Sequence, residues 1–213
     1  MPLHIPFSQQ LPGSWRGGQV NEIYRDPPGA DYPDGDYRLW VGTATIERAA
    51  DYSHFARAER LHILLDGGGL TLRFDEPAET VPLATSRWYA FAGDRPVHAT
   101  PVAGPVFAFN LIYRMGQQSG ARFIDAAEMP VTLPAPAANT HFTQIIYGIR
   151  GESCVESSQG HFLLRAGDTL VYPPAESVET SLHLINFSAD ARLLLTHVQS
   201  IGQPTTGQPT TSA

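Results

Sequence analysis

The sequence predicts an all-β protein built from two β-rich halves, with short connectors and little helix. Three observations carry that expectation. Apolar residues come in short runs, alternating or continuous, each closed by turn residues, which is the pattern of an antiparallel sandwich or barrel rather than of βαβ units. The 19 Gly and 18 Pro are spread along the chain, so turns are frequent and long helices few. A length of 213 residues falls between one ordinary domain and two small ones, which suits one unit with two similar halves.

Taken in order, a first series of strands is predicted near 38–47, 60–65, 69–74, 88–91, 96–100 and 105–114. A second series follows near 142–149, 152–156, 161–164, 169–172, 180–187 and 192–198. Residues 1–200 are thus read as a single unit, with an N-terminal half over about 1–115 and a C-terminal half over 140–200. Gly116 to Asn139 is polar at first and then Pro- and Ala-rich, so it reads as a connector with at most a short helix around Asp125 to Glu128. Asp66-Gly67-Gly68-Gly69 reads as a hairpin turn; no helix pattern and no P-loop Lys accompany it, so phosphate cradling fails on context. Ala166-Gly167-Asp168 is a second sharp turn, before Thr169 to Tyr172 and Pro173-Pro174. Residues 201–213, with Gly-Gln-Pro-Thr-Thr at 202–206 and again at 207–211, are expected to be disordered.

Composition excludes several classes of partner. The net charge of −7 and the lack of any Lys/Arg cluster argue against nucleic acid, which needs a phosphate-neutralising surface. The longest apolar stretches, such as Leu61 to Leu65 and Phe107 to Tyr113, are far shorter than the roughly 20 residues a membrane-spanning helix needs. Met1 to Leu11 lacks the basic and apolar regions of a leader, and the one cysteine, Cys154, has no internal disulfide partner, so a cytoplasmic location is expected.

The period-two rule sorts the strand side chains onto faces. Arg38 and Trp40 share a face with Gly42; Arg60 and His62 share one with Leu64; Asn110 and Arg114 share one with Ile112. If those faces point inward, several Arg with His62 and Asn110 would suit gripping a carboxylate through forked, charge-assisted bonds. If they point outward, the same residues are solvated surface or pair with Glu47, Glu59 and Asp94. No His-x-His occurs among the eight histidines, so no metal ligand set is assigned, although His62, His98, His161 and His183 fall in or beside predicted strands. Cys154 reads as a small buried or turn residue rather than a nucleophile, and no catalytic residue is assigned.

Three segments taken in order resemble the HutD/Ves family. They are Trp15-Arg16-Gly17-Gly18-Gln19-Val20-Asn21-Glu22-Ile23; then Tyr37-Arg38-Leu39 through Tyr52-Ser53-His54-Phe55 to Glu59-Arg60 and Leu64-Leu65-Asp66-Gly67; then Phe91-Ala92-Gly93-Asp94 with Pro96-Val97, Gly104-Pro105-Val106 and Phe109 to Arg114. The resemblance covers roughly residues 11–114, about half the chain. It implies a cupin-like double barrel (bicupin) whose second half repeats the first in degenerate form, in a group of cytoplasmic bacterial proteins. Some are associated with histidine utilisation and others with stress, and no catalysed reaction is established for the group.

Binding of a small, polar or carboxylate metabolite, without a cofactor, is therefore expected, with a homodimer allowed although no interface signature is visible. Arg38, Arg60, Asn110 and Arg114 are the candidate contacts, beside His62, with Trp15 and Tyr113 as walls and Glu22 ordering the shell by pairing with an Arg. The chain departs from the family pattern at Gly17-Gly18, a thinned glycine cluster, at Ala56-Arg57 in place of Pro-Gly, and at Ala108 in place of an acid, so its ligand can differ from that of other members. The alternative is a metal-dependent cupin enzyme, a dioxygenase or isomerase, using His62, His98 and nearby carboxylates.

Overall fold

The computed structural model describes residues 1–31, 35–135, 142–174 and 181–200; the tail at 201–213 lies outside them. Three strands, β1 (Leu3–Ile5), β2 (Leu11–Trp15) and β3 (Gly18–Asp26), precede two groups of eight. The first group is β4 (Leu39–Ile46), β5 (Ala50–Asp51), β6 (Ala58–Asp66), β7 (Leu70–Phe74), β8 (Glu79–Leu83), β9 (Trp88–Ala92), β10 (Val97–Pro101) and β11 (Val106–Arg114). The second is β12 (Gln117–Asp125), β13 (Val131–Leu133), β14 (Phe142–Arg150), β15 (Ser153–Ser157), β16 (Gly160–Leu164), β17 (Thr169–Tyr172), β18 (Leu182–Asn186) and β19 (Arg192–Ser200).

The two groups share one topology. In the first, a large sheet runs β4-β11-β6-β9 and a small one β5-β10-β7-β8; in the second, the large sheet runs β12-β19-β14-β17 and the small one β13-β18-β15-β16. Shifting every index by eight turns one into the other, so the fold is a single antiparallel barrel unit used twice. β2 and β3 extend the first large sheet beyond β4, whereas β1 crosses over to pair with β17 in the second. That crossing is fastened by the Phe7 amide donating to Asp168 and by the Gln10 side chain donating to the Gly167 carbonyl.

The predicted strands are all present, with ends moved by one or two residues, but two expectations are corrected. The presumed connector at 116–139 contains β12 and β13, the opening strands of the second barrel. It reads as a connector because Gln117 to Asp125 has no apolar alternation; its backbone is satisfied by nine residues paired with β19, and Gly120 leaves room for the His197 ring. The short helix is a single 3-10 turn, Ala126–Glu128, closed by a capping box between Asp125 and Glu128. The Gly67 to Gly69 segment is not a hairpin: β6 and β7 lie in different sheets, and Gly67 and Gly69 take positive φ where the chain passes between them.

The two large sheets pack back to back. Leu39 and Val41, Leu61 and Ile63, and Phe109 and Leu111 meet Ile145, Tyr147, Val171 and Leu194 in one shared core. The opposite faces of β4, β6 and β11 line the interior of the first barrel. Burial on both faces explains why these strands read as near-continuous apolar runs, and it denies water to any polar residue among them. The second barrel is filled by apolar side chains, among them Ile124, Ile146, Leu164, Leu170, Leu184 and Leu193. Among the described residues no helix is long and apolar enough to cross a membrane.

Candidate functional site

Strand register assembles the site in two rows on the inner face of the first large sheet. One row runs Glu22, Gly42, Asn110, His62, Tyr89; the next runs Arg25, Trp40, Ile112, Arg60, Phe91. Glu22 and Arg25 are three apart, an odd spacing that should send them to opposite faces. A register shift between Glu22 and Tyr24 brings both inward.

Asn110 is the hub. Its Oδ1 accepts from Arg60 Nε at 3.0 Å, from Arg60 Nη2 at 2.8 Å and from His62 Nδ1 at 2.7 Å. A guanidinium only donates, so the atom facing it is the amide oxygen, and His62 must also donate to that oxygen from Nδ1. The neutral ring then presents Nε2 as an acceptor to the Tyr52 hydroxyl at 3.2 Å. Burial, followed by the Arg60 charge, pushes His62 down to about 3, against the raising effect of the Asn110 bond. Arg60 is 8% exposed and lies 4.0 Å over the Tyr52 ring, so packing and hydrogen bonds together hold it in place.

Across the cavity, Glu22 Oε2 accepts from Trp40 Nε1 at 2.7 Å and from Arg25, which also donates to the Ala30 carbonyl. The Trp40 indole lies over Gly42, where a side chain would collide with it. Trp15 donates from Nε1 to the Thr45 carbonyl and meets Tyr52 edge-on at 5.4 Å. The resulting cavity has a volume of about 410 Å³, with aromatic walls and Arg60, His62 and Asn110 as a polar floor. It suits a small ligand that has an anionic end and an apolar body.

The structure brings together Trp15, Glu22, Arg60, His62 and Asn110, and leaves Arg38, Tyr113 and Arg114 outside the cavity. Arg38 precedes β4, so the strand alternation does not govern it; it pairs with Asp26 through two bonds, at 2.9 and 2.8 Å, and is largely exposed. Arg114 ends β11 and donates to Asp36 and to the Gly35 carbonyl. Tyr113 lies on the opposite face, in the core between the barrels, with its hydroxyl near Ser119 and Glu59. Glu22 pairs with Arg25 rather than with a predicted contact.

Sequence reasoning missed Arg25, Trp40, Tyr52 and Phe55 as cavity residues. Trp40 and Tyr52 carried signals, one through its shared face with Gly42 and the other through the Tyr52 to Phe55 segment. Arg25 carried none, because nothing in the residue types announces the bulge.

The alternative metal set of His62 and His98 is not assembled. His62 lies inside the barrel with both ring nitrogens engaged, whereas His98 alternates with the core residues Val97 and Ala99 and bonds Asp51 at 2.7 Å on the outer side of its sheet. Cys154 is buried and its thiol is pushed up by burial and then by Glu156.

Fold and cavity together define a cupin-like double barrel with a polar-floored hollow in its first unit. Its architecture is similar to that of the oxalate decarboxylase of Lactobacillus farciminis, at a TM-score of 0.60 and 11% identity over 93% of this chain and 86% of that one. The chain belongs to the HutD family, whose model matches residues 8–190. It is 33% identical over 105 residues to an uncharacterised 21.2 kDa protein in the hutC 3′ region of Pseudomonas putida, a match spanning 49% of this chain and only 53% of that relative. A conserved protein of unknown function from Pseudomonas aeruginosa PAO1 has a TM-score of 0.77 at 22% identity, covering 93% of this chain and 98% of its own. HutD from Pseudomonas fluorescens SBW25 has a TM-score of 0.69 at 20% identity, covering 94% and 100%.

Proposed function

We propose that this protein binds a small carboxylate metabolite in the first barrel and acts as a binding protein rather than as a catalyst. The observation that carries the proposal is Arg60, buried at the floor of an aromatic-walled cavity and oriented by the neutral oxygen of Asn110. Asn110 fixes the guanidinium without cancelling its charge. His62 is neutral, and the cavity lining carries two Arg and one Glu. Because Arg60 is itself buried, its charge is screened less than that of a surface arginine, which favours an entering carboxylate. An apolar or planar ligand body would lie against Trp15, Trp40 and Tyr52.

His62, a weak base at about 3 with Nε2 facing Tyr52, is suited to orienting its neighbours rather than to moving a proton at neutral pH. A link to histidine catabolism rests on the family resemblance and on the description of the P. putida relative as a protein of the hutC 3′ region.

Thermal unfolding in the presence of urocanate, formylated amino acids and other small carboxylates tests the reading. At least one should raise the Tm of the wild type, because a ligand that binds only the folded state stabilises it. Arg60→Ala and Arg60→Met should remove the rise. A wild type indifferent to every carboxylate overturns the proposal.

A further inference from the structure

The small sheet of the second barrel carries polar residues on the face turned away from its core. Val155, Leu164, Leu182 and Leu184 face inward, so the residues that alternate with them face out. Register aligns one outward row across four strands: Thr132, His183, Glu156 and His161. Cys154, two residues before Glu156 on the same strand, shares that face, with Leu163 and Ile185 as its neighbours in register. β15 and β16 form a tight hairpin in which Ser157 pairs with Gly160, so the mutual placement of their side chains is set by a short, closed ladder.

The donor atoms converge. Cys154 Sγ, a carboxylate oxygen of Glu156 and a ring nitrogen of His161 all lie within 4.8 Å of one another, and His161 Nδ1 is 3.1 Å from Glu156 Oε1. Among the described residues this is the one such set of three. A tetrahedral zinc ion holds sulfur and nitrogen donors about 3.5 Å apart, given bonds of about 2.3 and 2.0 Å, so side-chain rotation is enough to close the set. On the other side of Glu156, His183 Nδ1 is 2.8 Å from the Thr132 hydroxyl.

As an isolated ion pair, Glu156 with His161 would contribute little, because both side chains are well exposed. A buried sulfur beside that pair instead makes a mixed sulfur, oxygen and nitrogen donor set, which suits a borderline-soft dication and is poor for calcium or magnesium. We propose that Cys154, Glu156 and His161 bind one divalent transition metal of the zinc class. The site is independent of the carboxylate cavity, lying in the other barrel and on the outside of its sheet.

The test uses the full chain, free of any affinity tag, titrated with Co²⁺ and then with Zn²⁺ against a chromophoric chelator. One equivalent should bind, Co²⁺ should give a thiolate charge-transfer band, and Zn²⁺ should displace it. Cys154→Ser should abolish the band. His161→Ala, at an exposed position that the fold does not need, should weaken Zn²⁺ binding by at least about tenfold. No saturable one-to-one binding, or equal affinity in the wild type and His161→Ala, overturns the site.

Discussion

Three donors meet at the single side-chain oxygen of Asn110, so the cavity floor depends on that oxygen more than on any other atom. Asn110→Leu would leave a buried guanidinium and a buried imidazole facing hydrocarbon, at a cost of about 3 kcal/mol or more. Urea unfolding measures it. Asn110→Asp separates structure from binding: the carboxylate keeps every acceptor but neutralises Arg60. The variant should fold and lose the carboxylate-induced rise in Tm, and a retained rise would remove Arg60 as the anchor.

His62 gives the pH dependence. In the fold it stays neutral down to about 3, while the unfolded chain takes up its proton near the ordinary value of 6.5. Between those limits the unfolded state holds one more proton, so acid destabilises the fold by up to about 1.4 kcal/mol per pH unit. The stabilisation is complete above pH 6.5 and is lost as pH falls to about 3. His62→Gln should flatten the plot of unfolding free energy against pH within that window by about one proton. Parallel slopes for the two proteins would refute the buried neutral ring.

Elements bring these residues together, and the same elements show what the sequence could reveal. Alternation on β6 and β11 placed Arg60, His62 and Asn110 on one face because those strands are regular through the positions concerned. The rule failed at Arg38, which precedes its strand, and at Arg25, which follows a register shift. β12 was illegible for a different reason: a polar strand satisfied by backbone pairing and a half-buried location leaves no hydrophobic pattern to detect. Gly42 shows how closely an element fits its site. A methyl group there would meet the Trp40 ring at 2.3 Å and the Asn21 carbonyl at 2.6 Å, and the carbonyl belongs to the ladder and cannot swing aside. Gly42→Ala should therefore destabilise by about 1–3 kcal/mol. It should also change tryptophan fluorescence by displacing the Trp40 indole from Glu22, and a wild-type spectrum with unchanged stability would contradict that packing.

At the scale of the molecule, the shared core decides whether two barrels behave as two domains. Leu39, Val41, Leu61, Ile63, Phe109 and Leu111 on one sheet are buried only because Ile145, Tyr147, Val171, Leu194 and Val198 cover them from the other. β1 strengthens the link by leaving its own half to complete the second sheet. Separating the halves would expose this layer to water, so neither should be stable alone and unfolding should be a single transition. The three tryptophans, Trp15, Trp40 and Trp88, all lie in the first barrel, which makes their fluorescence a local reporter. Leu184→Ala, inside the second barrel's own core and away from the shared layer, should cost about 2–5 kcal/mol through the cavity it leaves. If the barrels are one cooperative unit, that substitution moves the tryptophan transition and the far-UV circular dichroism transition together, by the same amount. If the tryptophan midpoint stays in place while the dichroism splits into two steps, the barrels unfold independently and the shared core does not couple them.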